Sequence, residues 1–423
     1  MLIQNKIRTF AAFFNYICKI MLQELQFRQL QSEYLLHVRN VDLTHKRYLY
    51  NQINWDARLI GIRGARGTGK TTMLLQYIKE HYPDLNKALY ISLDSFSFQL
   101  ITLYDVAEYA HARGIEALFI DEVHYMPHWS RLLKNVFDTF ADLKLVYTGS
   151  SMLQIDEAQT DLSRRQTVYD LQGFSFREYL LFKGYFRHET IGLEDVLNNH
   201  SSLAMDISSE IKPLMLFNEY LRQGYYPFVL EAKQDYLRRL EELMLLIIYQ
   251  DIPRVDEIIT LQTLQKAQKL LMVLATQVPL EPNISTLCRE IGATRDVVIR
   301  LLYLMEKAGL LMLVNKESNS YKTMSRPDKI YLNNTNQMYA LTGNVNEGTL
   351  RETFFVNQLH LTHKVLLPVK GDYLIDNQYT FEVGGAGKTF KQIKDIPDSY
   401  LALDEIELGT GNAIPLYLFG FLY

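Results

Sequence analysis

The chain has 423 residues, 48% hydrophobic and 22% charged, with 44 Lys and Arg against 48 Asp and Glu and a formal net charge of −4. That length and balance exclude a disordered chain, leave room for about two to four domains, and confine any nucleic-acid contact to a local patch. The two cysteines, Cys18 and Cys288, lie too far apart to suggest a metal cluster and fit a reducing compartment, so a cytoplasmic location is expected. Residues 7–22 are fairly apolar and begin beside Lys6 and Arg8, which imitates a secretory signal, but Asn15 and Lys19 interrupt them. Elsewhere no apolar run approaches the roughly 18 residues a bilayer requires, so no membrane contact is expected. The segment reads as an amphipathic helix or as an upstream extension of the reading frame, with either Met1 or Met21 as the start. Residues 1–40 are therefore expected to be an N-terminal helical extension.

Leu59 to Ile62 read as a short buried strand, and Thr71 to Glu80 as a helix carrying Met73, Leu74, Tyr77 and Ile78 on one side. Between them Gly64, Ala65, Arg66, Gly67, Thr68, Gly69, Lys70 and Thr71, followed by Thr72, match the phosphate-loop pattern at every fixed position. The glycines permit a tight turn whose N–H groups point at a phosphate, and the helix N-terminus adds partial positive charge. Lys70 is expected on the β- and γ-phosphates and the Thr71 hydroxyl on magnesium, making ATP and Mg2+ the expected ligand and cofactor. Further apolar runs at Ala88 to Leu93, Ala117 to Ile120, Leu143 to Tyr147 and Thr167 to Leu171 alternate with helical stretches and predict an α/β core with a parallel sheet. The third strand of the set ends in Asp121 and Glu122 at the tip that faces the ligand crevice. Asp121 is expected to hold magnesium, directly or through water, and Glu122 to act as general base toward the attacking water. The next strand ends in Thr148, Gly149, Ser150 and Ser151, where a hydroxyl could bond the γ-phosphate or the water, or simply form a turn.

These motifs, with His124 to Trp129, the run Gly173 to Tyr179, Gly224 to Pro227 and the closing Ile414 to Tyr423, resemble bacterial and archaeal AAA-superfamily ATPases carrying a C-terminal domain of unknown function with a restriction-endonuclease-like fold. The resemblance runs from about residue 40 over nearly the whole chain. It implies that Thr148 or Ser150 is a polar sensor and that Arg164 and Arg165 are candidates for an arginine touching the γ-phosphate, within one chain or on a neighbour, which leaves a homo-oligomer open.

Ile211 to Ile259 are helical in pattern, broken at Gly224 and Pro227, and suit a lid that clamps nucleotide against the core. Ile284 to Ile291, a turn at Gly292 and Ala293, then Arg295 to Ala308 capped by Thr294, followed by the strand Leu310 to Val314, look like a winged helix. Arg295 and Arg300 would face DNA in a DNA-binding version, while the same unit serves equally as a protein contact module. In the last hundred residues Asp376 and Glu382, on the runs Tyr373 to Ile375 and Tyr379 to Val383, resemble the carboxylate hairpin of restriction-like nucleases. The lysine expected two residues after the glutamate is replaced by Gly384, with Lys388 as a substitute if it folds back. The expected architecture is a P-loop NTPase core of AAA type over 41–210, a helical lid over 211–261, a winged-helix unit over 262–318 and an α+β restriction-endonuclease-like domain over 319–423. An ATPase driving rearrangement of the attached domains is the leading expectation. The alternatives are a slow nucleotide-gated switch that binds DNA or a protein, and a magnesium-dependent nuclease, which Gly384 disfavours.

Overall fold

The computed structural model describes residues 23–95, 101–149, 162, 164–256, 258–276, 283–316, 327–343 and 345–423. Residues 7–22, Met21 included, and the tip residues Ser150 and Ser151 lie outside the described residues. The chain divides into two compact units, the first within 1–63, 69–150 and 154–171 and the second formed chiefly by 64–68 and 172–423.

The first unit is a parallel sheet in the order β2-β3-β4-β1-β5, built from β1 (Leu59–Arg63), β2 (Ala88–Ser92), β3 (Ala117–Asp121), β4 (Lys144–Gly149) and β5 (Thr167–Asp170). β3 is buried at every position, the pattern of a strand covered on both faces. Its helices are α1 (residues 23–40), α2 (Lys70–His81), α3 (Leu103–Ala112) and α4 (Trp129–Thr139). α3 starts at a capping box in which Thr102 and Asp105 bond each other's backbone N–H. α1 differs from the expected separate extension. Phe27, Leu30, Tyr34 and Val38 recur at helical spacing and are buried in the same core as the sheet, and the Tyr34 hydroxyl donates to the Leu85 carbonyl at 3.0 Å.

The second unit begins at Gln172, well before the expected boundary at 210, and one apolar core runs through it from Phe174 to Leu422. The reason is aromatic packing between early helices and the chain's last elements. Phe176 meets Phe421 edge to face at 5.8 Å, and Phe217 meets Phe354 at 4.7 Å. The segments expected as lid, winged helix and C-terminal domain therefore share a core rather than standing as separate bodies. The helical run from Tyr236 to Val255 is interrupted by a π-helical turn at Ile247–Asp251. Pro253 lies two residues on; it has no N–H to donate, and a proline ring crowds the carbonyl four residues back, that of Tyr249, so the ladder widens there. Helices Leu261–Thr276, Ile284–Ile291 and Arg295–Lys307 precede an antiparallel pair, β6 (Leu311–Val314) and β7 (Lys329–Leu332). After helices Thr335–Thr342 and Glu347–Leu359 comes a second sheet, ordered β12-β11-β10-β9-β8. Its members are β8 (Val365–Leu366), β9 (Tyr373–Ile375), β10 (Tyr379–Gly384), β11 (Ser399–Leu403) and β12 (Ala413–Pro415), antiparallel from β8 to β10 and parallel from β10 to β12. Among the described residues no helix is long and apolar enough to cross a membrane.

Candidate nucleotide site

β1 delivers the chain to Gly64 and α2 receives it at Lys70. Gly67 and Gly69 take φ of +82° and +91°, conformations that a Cβ would strain, so these two positions require glycine. The Thr68 hydroxyl donates to the Ala65 carbonyl at 2.9 Å and closes the loop on itself. Lys70 and Thr71 open α2, and Lys70 is buried, while Thr72 faces solvent.

In the first unit, three hydroxyls converge on Asp121 at the end of β3. Thr71 Oγ1 donates to Asp121 Oδ2 at 2.5 Å, Tyr90 Oη donates to the same oxygen at 2.9 Å, and Thr148 Oγ1 donates to Oδ1. Asp121 is 2% exposed, and burial, then the neighbouring Glu122 charge, raises its carboxyl above the ordinary value, with the three hydroxyls pulling the other way. Burial and Asp121 together keep the Tyr90 phenol protonated, as a donor must be. A buried carboxylate beside a hydroxyl at a helix start is a hard-oxygen pair that suits Mg2+, which keeps most of its shell as water and phosphate oxygens.

Glu122 sits in the left-handed region at φ +56°, its N–H donating to Thr148 Oγ1 at 3.1 Å. Its Oε2 lies 3.3 Å from Nδ1 of the buried His124. Thr148 thus bridges the Asp121 carboxylate and the next residue's backbone N–H. A cavity of about 320 Å³ opens beside Thr71, Asp121 and Glu122, with Glu33 and His37 of α1 and Asp94 beyond β2 among its walls. Arg165 is held by Asp138 of α4 through hydrogen bonds of 2.9 and 3.1 Å, and Arg164 is exposed. The described contacts do not gather either arginine with Asp121. Tyr90 and His124 were not among the expected site residues. Tyr90 becomes relevant only because β2 lies next to β3, which strand spacing alone does not reveal.

The expected pair Asp376 and Glu382 is not formed. Asp376 occupies the β9–β10 turn at φ +54°, bonding His363 at 2.6 Å and the Lys364 N–H at 2.8 Å. The residue opposite Glu382 is Asp372, because the hairpin register pairs Tyr373 with Phe381. Asp372 accepts from the Val383 N–H at 2.9 Å, and Lys388 Nζ lies 3.2 Å from it and 2.6 Å from Glu382 Oε2. Glu382 is fully buried, and among the described residues neither carboxylate oxygen has a hydrogen-bond partner, Oε2 being ion-paired with Lys388. A Cβ on Gly384 would stand 3.0–3.1 Å from the Lys388 stem, so the glycine leaves the space that the lysine crosses. Lys388 stays ionised: burial lowers its pKa, but the bonds to Glu382 and Asp372 outweigh it and raise it. Among the described residues no group of three or more His, Cys, Asp or Glu is arranged to hold a metal. In the Arg295–Lys307 helix, Arg300 forms an ion pair with Asp256, while Arg295 is exposed.

Residues 56–180 match an AAA domain, and residues 214–347 match a domain of unknown function (DUF8612). The uncharacterized protein MJ1637 of Methanocaldococcus jannaschii is 30% identical, over 86% of this chain and 84% of its own. Among solved structures, the Walker-type ATPase PABY2304 of Pyrococcus abyssi is 11% identical with a TM-score of 0.40, covering 70% of this chain and 95% of its own. The Aeropyrum pernix ORC1 protein, solved in complex with DNA, is 13% identical with a TM-score of 0.30, covering 76% and 92%. These superpositions are loose, and the assignment rests on the sequence relationships together with the phosphate loop and its Asp121 partner. The chain belongs to the family of the Methanocaldococcus jannaschii protein MJ1637 and carries a nucleotide-binding P-loop core of AAA type.

Proposed function

We propose that the protein hydrolyses ATP with magnesium and uses the cycle to rearrange its second unit. The observation that carries this is the 2.5 Å bond between Thr71 at the start of α2 and the buried Asp121, with Glu122 as the next residue. Phosphate loops and carboxylate strand tips act together in this way when a γ-phosphoryl group passes to water. Main-chain N–H groups of 64–71 and the Lys70 ammonium bind the phosphates, and bound magnesium would neutralise charge on their oxygens. Glu122 accepts a proton from the water as its oxygen bonds to the γ-phosphorus; the bond from that phosphorus to the β–γ bridging oxygen breaks, leaving ADP and phosphate. Lys70→Ala is expected to abolish ATP binding by calorimetry, whereas Glu122→Gln keeps binding and stops phosphate release. Equal hydrolysis by wild type and Glu122→Gln would remove Glu122 from its role. Slow turnover with nucleotide-dependent DNA or protein affinity would instead favour a binding switch.

A second reading, cleavage of phosphodiesters by the C-terminal sheet, is favoured by one observation: Lys388 supplies beside Asp372 and Glu382 the charge that Gly384 lacks. Two carboxylates with an unsatisfied oxygen fit a divalent cation completed by water and phosphate. Supercoiled plasmid incubated with Mg2+ or Mn2+ tests it, with Glu382→Ala and Lys388→Ala as controls. Intact plasmid with wild type, or nicking that survives both substitutions, rejects it.

A further inference from the structure

The π-helical turn at Ile247–Asp251 ends on a carboxylate that is 2% exposed, and Asp256, five positions on, is 8% exposed. Both are ion-paired across long sequence distances. Asp251 accepts from Arg66 of the phosphate loop, Oδ1 from Nη2 at 3.2 Å and Oδ2 from Nε at 3.4 Å. Asp256 holds Arg300, in the middle of the Arg295–Lys307 helix. All four residues belong to the second unit, which includes loop residues 64–68. The loop tip is also seated by packing: a Cβ on Gly67 would lie 3.4 Å from Leu243 and 3.6 Å from Phe228, and one on Gly309 would lie 3.1 Å from Ala65.

A buried carboxylate with a guanidinium partner is strongly selective for that partner's position, because losing it leaves an uncompensated charge. A π turn is a poor place to store stability but a good place to change register, since reverting to α geometry rotates everything beyond it by about 100°. We propose that residues 247–256 are a strut that reports nucleotide occupancy of the phosphate loop to the Arg295–Lys307 helix, Asp251 gripping Arg66 at one end and Asp256 gripping Arg300 at the other. The proposal rests on the nucleotide-binding reading and adds to it the route by which occupancy leaves the loop. Asp251 and Asp256 are positioning residues that act through the two arginines.

Hydrogen exchange of the full chain, with and without a non-hydrolysable ATP analogue and Mg2+, tests this, with calorimetry of the same samples. In wild type the analogue is expected to change exchange several-fold in peptides covering 295–307 as well as in those covering 64–71. Asp251→Asn is expected to bind the analogue and keep the loop response while losing the response at 295–307, and Asp251→Glu to recover part of it. Arg300→Lys, which keeps a cation beside the buried Asp256 but not the guanidinium grip, is expected to weaken the same distal response, and Arg300→Gln, shown to be folded by its circular dichroism, to lose it. A distal response unchanged in both Asp251→Asn and Arg300→Gln, or absent from wild type that binds the analogue, overturns the strut. No binding heat with wild type overturns the nucleotide reading itself, and the strut with it.

Discussion

Thr148 is the most informative single substitution in the first unit. Its hydroxyl donates to the buried Asp121 and accepts from the Glu122 N–H, and the residue is fully buried, so Thr148→Val removes two hydrogen bonds while keeping shape. A bond to a buried charge contributes about 1.5–3 kcal/mol, and orphaning a buried N–H costs about 1–3 kcal/mol. Thr71 and Tyr90 still hold Asp121, and Glu122 is partly exposed, so the smaller figures apply and a loss of about 2–4 kcal/mol is expected. The chain's two tryptophans report this unit alone, since Trp55 stacks on Tyr77 at 3.8 Å and Trp129 packs near Tyr147 at 5.4 Å. Urea titration followed by tryptophan fluorescence measures the change, with Thr148→Ser as the control that restores the hydroxyl. Stability of Thr148→Val within about 0.5 kcal/mol of wild type would refute the reasoning, as would a serine variant no better than the valine one.

Gly61→Ala puts a methyl 2.6 Å from the Tyr147 ring and hydroxyl, and is expected to lower stability by about 1–3 kcal/mol in the same titration. Because the Asp121 carboxyl is raised above its ordinary 3.8, the apo protein gains from this group below that pH and loses the gain as pH rises through the higher folded value. Cation binding needs the ionised form and runs the opposite way. Magnesium-dependent tightening of ATP binding is therefore expected to weaken on acidification while pH is still above 3.8, as calorimetry across a pH series would show, and a flat series would contradict it. Asp372→Asn is expected to loosen Lys388, seen as a faster lysine acetylation rate at 388, whereas Asp376→Asn is expected to leave that rate unchanged.

The phosphate loop, its flanking strand and helix, and the Asp121–Glu122 tip were legible because each is a local pattern: glycine where φ is positive, apolar runs where a strand is covered on both faces. Tyr90 was not, since its approach to Asp121 depends on the order in which strands pair. The expectation that Asp376, rather than Asp372, faces Glu382 differs from the structure for the same reason. The two are four positions apart, and the hairpin register, set by the three-residue turn from Asp376 to Gln378, decides which one opposes Glu382. Breaks in helical pattern mark turns and place boundaries at 210, 261 and 318, whereas the compact division falls at 171/172 because Phe176, Phe217, Phe354 and Phe421 join segments far apart in sequence. Arg66 was read as part of the loop, but nothing local in the sequence points from it to Asp251.

The stem of Lys388 crosses the place where a side chain at 384 would begin, so the two positions are coupled through space. A side chain begun at 384 meets that stem at 3.0–3.1 Å, so the lysine has to give way by a few tenths of an ångström. A substitution at 384 is therefore felt first by Lys388 and, through it, by Asp372 and Glu382.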